Sequence, residues 1–248
     1  MALFTDGFIS TIEELLGYES AILDVARGEG IDLTRKLKLA EEELGVDLLA
    51  FLARQGDSRR LEQIVVTGPL HKWHTFRALS VTYRDAYNRQ LNDRYEGKWR
   101  EYEKLAAWAA RALFDAGVGM VNEPVPRAAK PELSTVGGPI AGATYFVGVT
   151  WIGRTGDEGA PSELAAITAP EGGLLAVKAV DPPAGALGWN VYASYTGSGL
   201  SLQNDSPVRP HEMWIEPTSG LRKGRPVGQG QEPEAYLRQS SRRVFDRG

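Results

Sequence analysis

Apolar residues recur at three- and four-residue steps through the first half of the chain and at two-residue steps through much of the second. That change of period predicts an α-helical part followed by a β part. In STIEELLGYESAILDVA, Thr11 and Glu14 stand at capping-box spacing, so a helix is expected to begin near Thr11. Asp32 is placed to cap a second helix whose stripe is Leu33, Leu37, Ala40, Leu44, Leu48 and Leu52, with Gln55-Gly56 as its end. A third opens at Thr67 and Pro69, carries Leu70, Trp73, Leu79, Val81 and Tyr83 on its apolar side, and breaks near Asn92 and Asp93. The fourth, over residues 91–113, repeats Leu91, Tyr95, Trp99, Tyr102, Leu105, Ala109 and Leu113 at close to 3.6 residues per turn.

Residues 117–143 hold Pro124, Pro126, Pro131 and Pro139 together with several glycines. Such a density of breakers excludes a helix or a central strand and predicts a linker or extended arm. Beyond it, TYFVGVTW puts Tyr145, Val147, Val149 and Trp151 on one face, and GWNVYASY puts Trp189, Val191, Ala193 and Tyr195 on one face. SELAAIT, LLAVKAV and HEMWIEP are further strand candidates between turns such as GRTGDEGAP and DPPAGALG. Several short strands in about 80 residues indicate a β-sandwich. The expected architecture is α+β and multidomain: an all-α helical bundle over residues 1–120, a Pro/Gly-rich linker over 121–143, a β-sandwich over 144–220 and a basic tail over 221–248.

Composition narrows the chemistry. With 42% apolar and 24% charged residues the 248-residue chain is globular in type. It has no cysteine, which excludes disulfides, thiolate metal sites and cysteine nucleophiles. His71 and His74 in HKWH share one helical side, but a third ligand does not accompany them, so no metal site is expected. Glu41, Glu42 and Glu43 are consecutive and point around a helix rather than at one another. GRTGDEG lacks the lysine and helix start of a phosphate loop and reads as a hairpin turn. No nucleophile elbow, phosphate loop, HExxH or EF-hand sequence is present, which counts against the common hydrolase, NTPase and zinc-protease readings, and no cofactor is expected. No run of about 18 apolar residues would span a membrane, and MALFTDGFIS has neither the basic nor the apolar region of a signal peptide.

Charge is unevenly laid out. Residues 1–130 carry 18 basic and 20 acidic groups, residues 131–220 carry 3 and 9, and residues 221–248 carry 7 and 3. A basic end on an acidic body is expected to stay solvated or to dock on an acidic partner. In that end Tyr236, Leu237, Val244 and Phe245 are interleaved with Arg238, Arg242, Arg243 and Arg247, the pattern of a peptide that orders on a partner. The acidic body argues against direct nucleic-acid binding. The aromatic stripe of the fourth helix is expected to fill the core of the bundle with its charges solvated, and Arg94, Tyr95, Trp99, Arg100 and Tyr102, of the residue types enriched at interfaces, form at the same time a candidate subunit contact.

Two stretches, FTDGFISTIEELLGYESAILDVARGEGIDLTRKLKLAEEELGVDLLAFL and RDAYNRQLNDRYEGKWREYEKLAAWAARALFDAGVG, resemble the head–tail connector, or neck adaptor, proteins of tailed bacteriophages. The likeness covers roughly residues 4–120 and lies in the order and character of the helices. In the β part, ATYFVGVTWIGRTGDEGAPSE and PPAGALGWNVYAS are similar to strands of fibronectin type III and other immunoglobulin-like domains. The resemblance implies a structural virion protein without enzyme activity that forms a ring, of twelve subunits in that family, beneath the portal. Its partners would be the portal protein and the next neck or tail-completion protein, with genomic DNA passing through the ring without sequence-specific contact. Such a protein assembles in the bacterial host cytoplasm, and the tail residues Tyr236, Leu237, Arg238, Arg242, Arg243, Phe245 and Arg247 would dock on the portal. A tail-completion or tail-fibre role, or a carbohydrate-binding module using Trp151, Trp189, Tyr192, Tyr195 and Trp214, are the competing expectations.

Overall fold

Glu14 donates its backbone N–H to Thr11 Oγ1 and accepts the Thr11 N–H on its carboxylate, so the capping box forms as the spacing predicts. It opens α1 (Ile12–Tyr18), and α2 (Ile22–Glu29) follows after Glu19 departs from helical geometry. Asp32 accepts from the N–H groups of Thr34 and Arg35 and starts α3 (Leu33–Gln55), whose last turn closes on Gly56 at a φ of 67°, a left-handed position that favours glycine. Then come α4 (Gly68–Gln90) and α5 (Glu96–Ala116). The structure, a computed structural model, describes residues 1–90 and 93–239, and these form two compact units. Each is built from two separate stretches of chain.

The helical unit comprises Gly7–Met120 and, of the described chain, residues 233–239. Within it α4 is buried on almost every side from Trp73 to Tyr83. α4 packs against α3 and α5, and its Leu70, Trp73, Phe76, Leu79 and Val81 are buried, as are Leu37, Leu44 and Leu48 of α3 and Tyr102, Ala106, Ala109 and Leu113 of α5. Tyr83 stacks on Tyr102 with ring centroids 5.8 Å apart, and Phe51 and Trp73 both pack on Phe114. Thr75 and Thr82, buried on α4, donate their hydroxyls back to the carbonyls of His71 and Ala78, which satisfies them without a partner helix. The stripe of α5 runs through Ala106 where the periodicity suggests Leu105, which is half-buried. Leu91 falls outside the described residues.

The β unit comprises Met1–Asp6 and Val121–Glu232. One antiparallel sheet has the order β2-β5-β8, with β2 (Glu132–Gly137), β5 (Gly173–Lys178) and β8 (Met213–Ile215). A second has the order β4-β3-β6-β7, with β4 (Ala165–Ala169), β3 (Ala143–Ile152), β6 (Gly188–Ser194) and β7 (Ser201–Leu202). Both sheets contribute to a single core: Tyr145, Val147, Val149, Trp151, Trp189 and Val191 from the second, Leu175, Val177 and Trp214 from the first. The chain is thus α+β, with five helices and antiparallel sheets among the described residues.

Two stretches differ from the sequence expectation. Residues 121–143, expected as a linker, are built into the β unit: Val125 and Ala128 lie in its core and Glu132–Gly137 forms β2. The prolines flank the strand instead of interrupting it, and β2 is an edge strand, where such punctuation is tolerated. The end of the chain is also not a free tail as far as residue 239. Residues 222–227 run beside β7, with Leu202 donating to the Arg225 carbonyl at 2.9 Å, and a Cβ on Gly224 would stand 2.1 Å from the Leu202 carbonyl oxygen. β9 (Ala235–Leu237) then pairs antiparallel with β1 (Val118–Met120) in the helical unit.

Candidate interaction surfaces

The aromatic residues of α5 meet their partners inside their own unit. The Tyr95 hydroxyl donates to Glu29 Oε1 at 2.8 Å and the Tyr102 hydroxyl to Glu19 Oε2 at 3.0 Å, and both residues are buried. A buried hydroxyl needs an acceptor, and these two carboxylates at the ends of α2 and α1 supply it. Burial raises the Glu19 pKa, but hydrogen bonds from Lys98 and Tyr102 outweigh that and hold the carboxyl below its ordinary value. Tyr95 and Tyr102 are therefore core residues, as the helical stripe suggests, and this corrects their assignment to a subunit contact. Trp99 is half-buried with its ring 5.6 Å from that of Tyr87, while Arg100 lies over the Trp99 ring and pairs with Glu96 at 2.7 Å. Arg94 is exposed, with its guanidinium over the Tyr95 ring at 5.2 Å.

Of the tail residues, Tyr236 is exposed on β9, Leu237 is half-buried opposite Val118, and Arg238 donates from Nε to the Ala116 carbonyl at 3.1 Å. The three are held by the chain's own helical unit. Arg242, Arg243, Phe245 and Arg247 lie outside the described residues. Arg222 and Arg225, which begin the basic end, pair with Asp205 and Glu158 of the β unit. Part of the charge that reads in sequence as available to a partner is thus neutralised within the chain.

Glu158 is the centre of the most connected polar group in the β unit. Thr150, Asn190 and Tyr192 donate to its Oε1, the last two at 3.0 and 2.7 Å, and Arg225 donates to Oε2 at 2.6 Å. The Arg225 guanidinium also lies 5.6 Å from the centre of the Tyr192 ring. Burial pushes the Glu158 pKa up, and the four donors more than reverse it, so the carboxyl is held below its usual value. With three donors on Oε1 and one on Oε2, this group joins β3, β6 and the 222–227 segment. The GRTGDEG stretch that carries Glu158 is a turn, as its glycines suggest: Gly153 donates to the Asp157 carbonyl, and Gly156 has a φ of 87°.

The histidines have separate partners. His74 is fully buried between Ser10 Oγ and the Leu37 carbonyl, and half-buried His71 faces Glu14 at 3.1 Å. Among the described residues no group of three or more acidic or histidine side chains is arranged to hold a metal ion. In the β unit Trp151, Trp189, Tyr192 and Trp214 are buried, leaving Tyr195 as the one exposed ring among the five named for sugar stacking.

Two apolar exposures in the helical unit went unnoticed in the sequence. On α5 the Trp108 indole is half exposed and, with Gly68, Pro69, Lys72, Ala109 and Ala112, lines a cleft of about 210 Å³. On α3, Val46 is 67% and Leu49 48% exposed, on the side away from the Leu37–Leu44–Leu48 stripe. The signal was present as a second apolar spacing, Val46-Leu49-Ala53 on α3 and the shorter Trp108-Ala112 on α5, overlaid on the stronger core stripe. No helix among the described residues is long and apolar enough to cross a membrane. No protein-family model matches the chain, and no curated protein is significantly similar to it.

Proposed function

We propose that the chain is a structural protein of tailed-phage particles, a head–tail connector whose helical unit forms a ring on the portal and joins the capsid to the tail. The observation that carries this reading is the pair of solvent-facing apolar surfaces on α3 and α5, at Val46 and Leu49 and at Trp108, within the segment that resembles neck adaptors. Exposed large apolar side chains flanked by charges mark protein–protein contacts, and the segment's use as a ring subunit gives each copy two such contacts. The β unit, in this reading, is an appended immunoglobulin or fibronectin type III-like domain. Seven antiparallel strands in two sheets over one core support that assignment.

Docking on the portal is assigned to the arginine-bearing end, Arg242, Arg243, Phe245 and Arg247 by sequence, since Tyr236, Leu237 and Arg238 are engaged by their own unit. Many copies of a weak cationic peptide on an acidic ring would bind by multivalency. Negative-stain imaging of the full chain mixed with the portal of its own particle tests this. Added ring density is expected with the full chain and weaker density with a chain ending at Gln239, a cut that keeps β9. A full chain that leaves portal rings unchanged would sink the proposal.

A further inference from the structure

We infer that the Trp108 cleft of one copy receives the exposed face of α3 from a second copy, in a head-to-tail contact. The cleft is apolar at its floor, where Gly68, Ala109 and Ala112 leave room beside the half-exposed indole. Its rim is cationic: Lys72 lines it, Lys104 stands one turn before Trp108 and Arg111 three residues after. All three are exposed. Lys72 and Lys104 have no ion-pair partner among the described residues, and Arg111 donates only to the Ala107 carbonyl of its own helix. The acidic side chains on that side of α5, Glu101 and Asp115, are seven residues away in either direction, about 10 Å along the axis.

The outward face of α3 is the complement. Glu42, Val46, Leu49 and Ala53 fall on one stripe at helical spacing, with Asp47 beside it, and all five are exposed. Glu42 and Asp47 have no ion-pair partner among the described residues, unlike Glu41 and Glu43, which pair with Lys38 and with Arg77 and Arg84. Exposed Lys38, one turn before Glu42, is paired with Glu41, and exposed Arg54, two turns after Asp47, donates to the Ala50 carbonyl, so between them Glu42 and Asp47 with the two aliphatic side chains match a cationic rim around an apolar slot, in sign and in polarity. Charge also decides against other occupants. Two clefts meeting face to face would oppose Lys72, Lys104 and Arg111 to themselves, and the chain's own end, with Arg242, Arg243 and Arg247, is of the same sign as the rim. A contact between unlike surfaces is heterologous and generates rings when its rotation closes. The inference rests on the connector reading for the identity of the partner as a second copy.

The absence of cysteine from the chain makes the test direct. Single variants Ala53→Cys, on the α3 stripe, and Ala112→Cys, on the cleft, leave Val46, Leu49 and Trp108 in place; they are mixed and treated with a short bis-maleimide, alone and with portal rings. Folding of each is checked by circular dichroism. Mixed cross-links between positions 53 and 112 well in excess of either self-link, and a ladder of multimers from the double variant, are the expected result. Lys104→Glu with Arg111→Glu should lower the mixed product about tenfold, and Glu42→Lys with Asp47→Lys on the other protein should restore it. Rings on the portal without these cross-links would overturn the contact while leaving the connector reading intact. A ladder without any ring on the portal would keep the contact and remove the connector reading. Self-links dominating the mixture, or no links in any condition, would overturn the contact.

Discussion

His74 is a buried histidine whose protonation state follows from its neighbours. Its Nε2 lies 3.0 Å from the Leu37 carbonyl, which can only accept, so that nitrogen carries the proton and Nδ1, 2.9 Å from Ser10 Oγ, is free to accept. Burial lowers its pKa to about 4, with a further push from His71 and opposing pulls from the Leu37 carbonyl and Glu14. The unfolded chain takes up this proton near pH 6.5 and the folded chain near 4, so between those values the unfolded state holds more protons and stability rises with pH. The contribution is complete above about pH 6.5 and is lost as pH falls to about 4, a change of roughly 3 kcal/mol at 1.36 kcal/mol per pKa unit. Urea denaturation of the native chain and of His74→Gln across that interval measures it. The native helical unit should lose about that much more than the variant; parallel curves would mean that His74 already titrates normally.

At the scale of elements, the Glu158 group fixes the 222–227 segment along β7, and it does so as a unit. Glu158→Ala would leave the Tyr192 hydroxyl and the Asn190 amide without their acceptor and Arg225 without its counter-charge, at about 3 kcal/mol. Arg225→Ala removes one donor whose side chain is half exposed, and should cost clearly less. Chemical denaturation of the two variants ranks them, and equal losses would place the weight on the salt bridge instead. Because the carboxyl is held below its usual value, this stabilisation is present above about pH 4.5 and disappears as pH falls through the lowered value. Little of this was legible beforehand. The caps at Thr11 and Asp32, the α3 stripe and the strands around Tyr145 and Trp189 follow from local spacing, and local spacing was enough to find them. β9 escaped because a three-residue strand has no periodicity, and its partner β1 lies over a hundred residues earlier. For Tyr95 and Tyr102 the stripe points to the core and the residue type to a subunit contact; their acceptors are 66 and 83 residues away, and a period names a face but not what meets it. Trp108 was masked by the stronger stripe through Ala106 and Ala109.

For the whole molecule, the consequence is where the chain can be cut. Composition suggests a self-sufficient β domain over residues 144–220, bounded by a proline-rich linker and a basic tail. The structure gives that unit wider limits, Val121–Glu232 together with Met1–Asp6, in which Leu3 and Phe4 are buried. A fragment of 144–220 loses β2, which is the neighbour of β5, together with Val125 and Ala128 from the core and Leu133 packed against it. It also loses Arg225 from the Glu158 group. Losing the burial of the two large aliphatic side chains, Val125 and Leu133, costs roughly 3–6 kcal/mol at about 1.5–3 kcal/mol each, and a domain of this size has about 5–15 kcal/mol in total. The 144–220 fragment should therefore give a poorly dispersed proton spectrum and no cooperative thermal transition. A fragment of 121–232 should give both, at a melting temperature below that of the intact chain because the Leu3 and Phe4 side chains are missing. A cooperative transition in the shorter fragment would mean that residues 121–143 are a covering on the β unit and not a part of its core. Failure of the longer one alone would locate the deficit in Met1–Asp6, which a version carrying those six residues on a short glycine-serine linker would then restore.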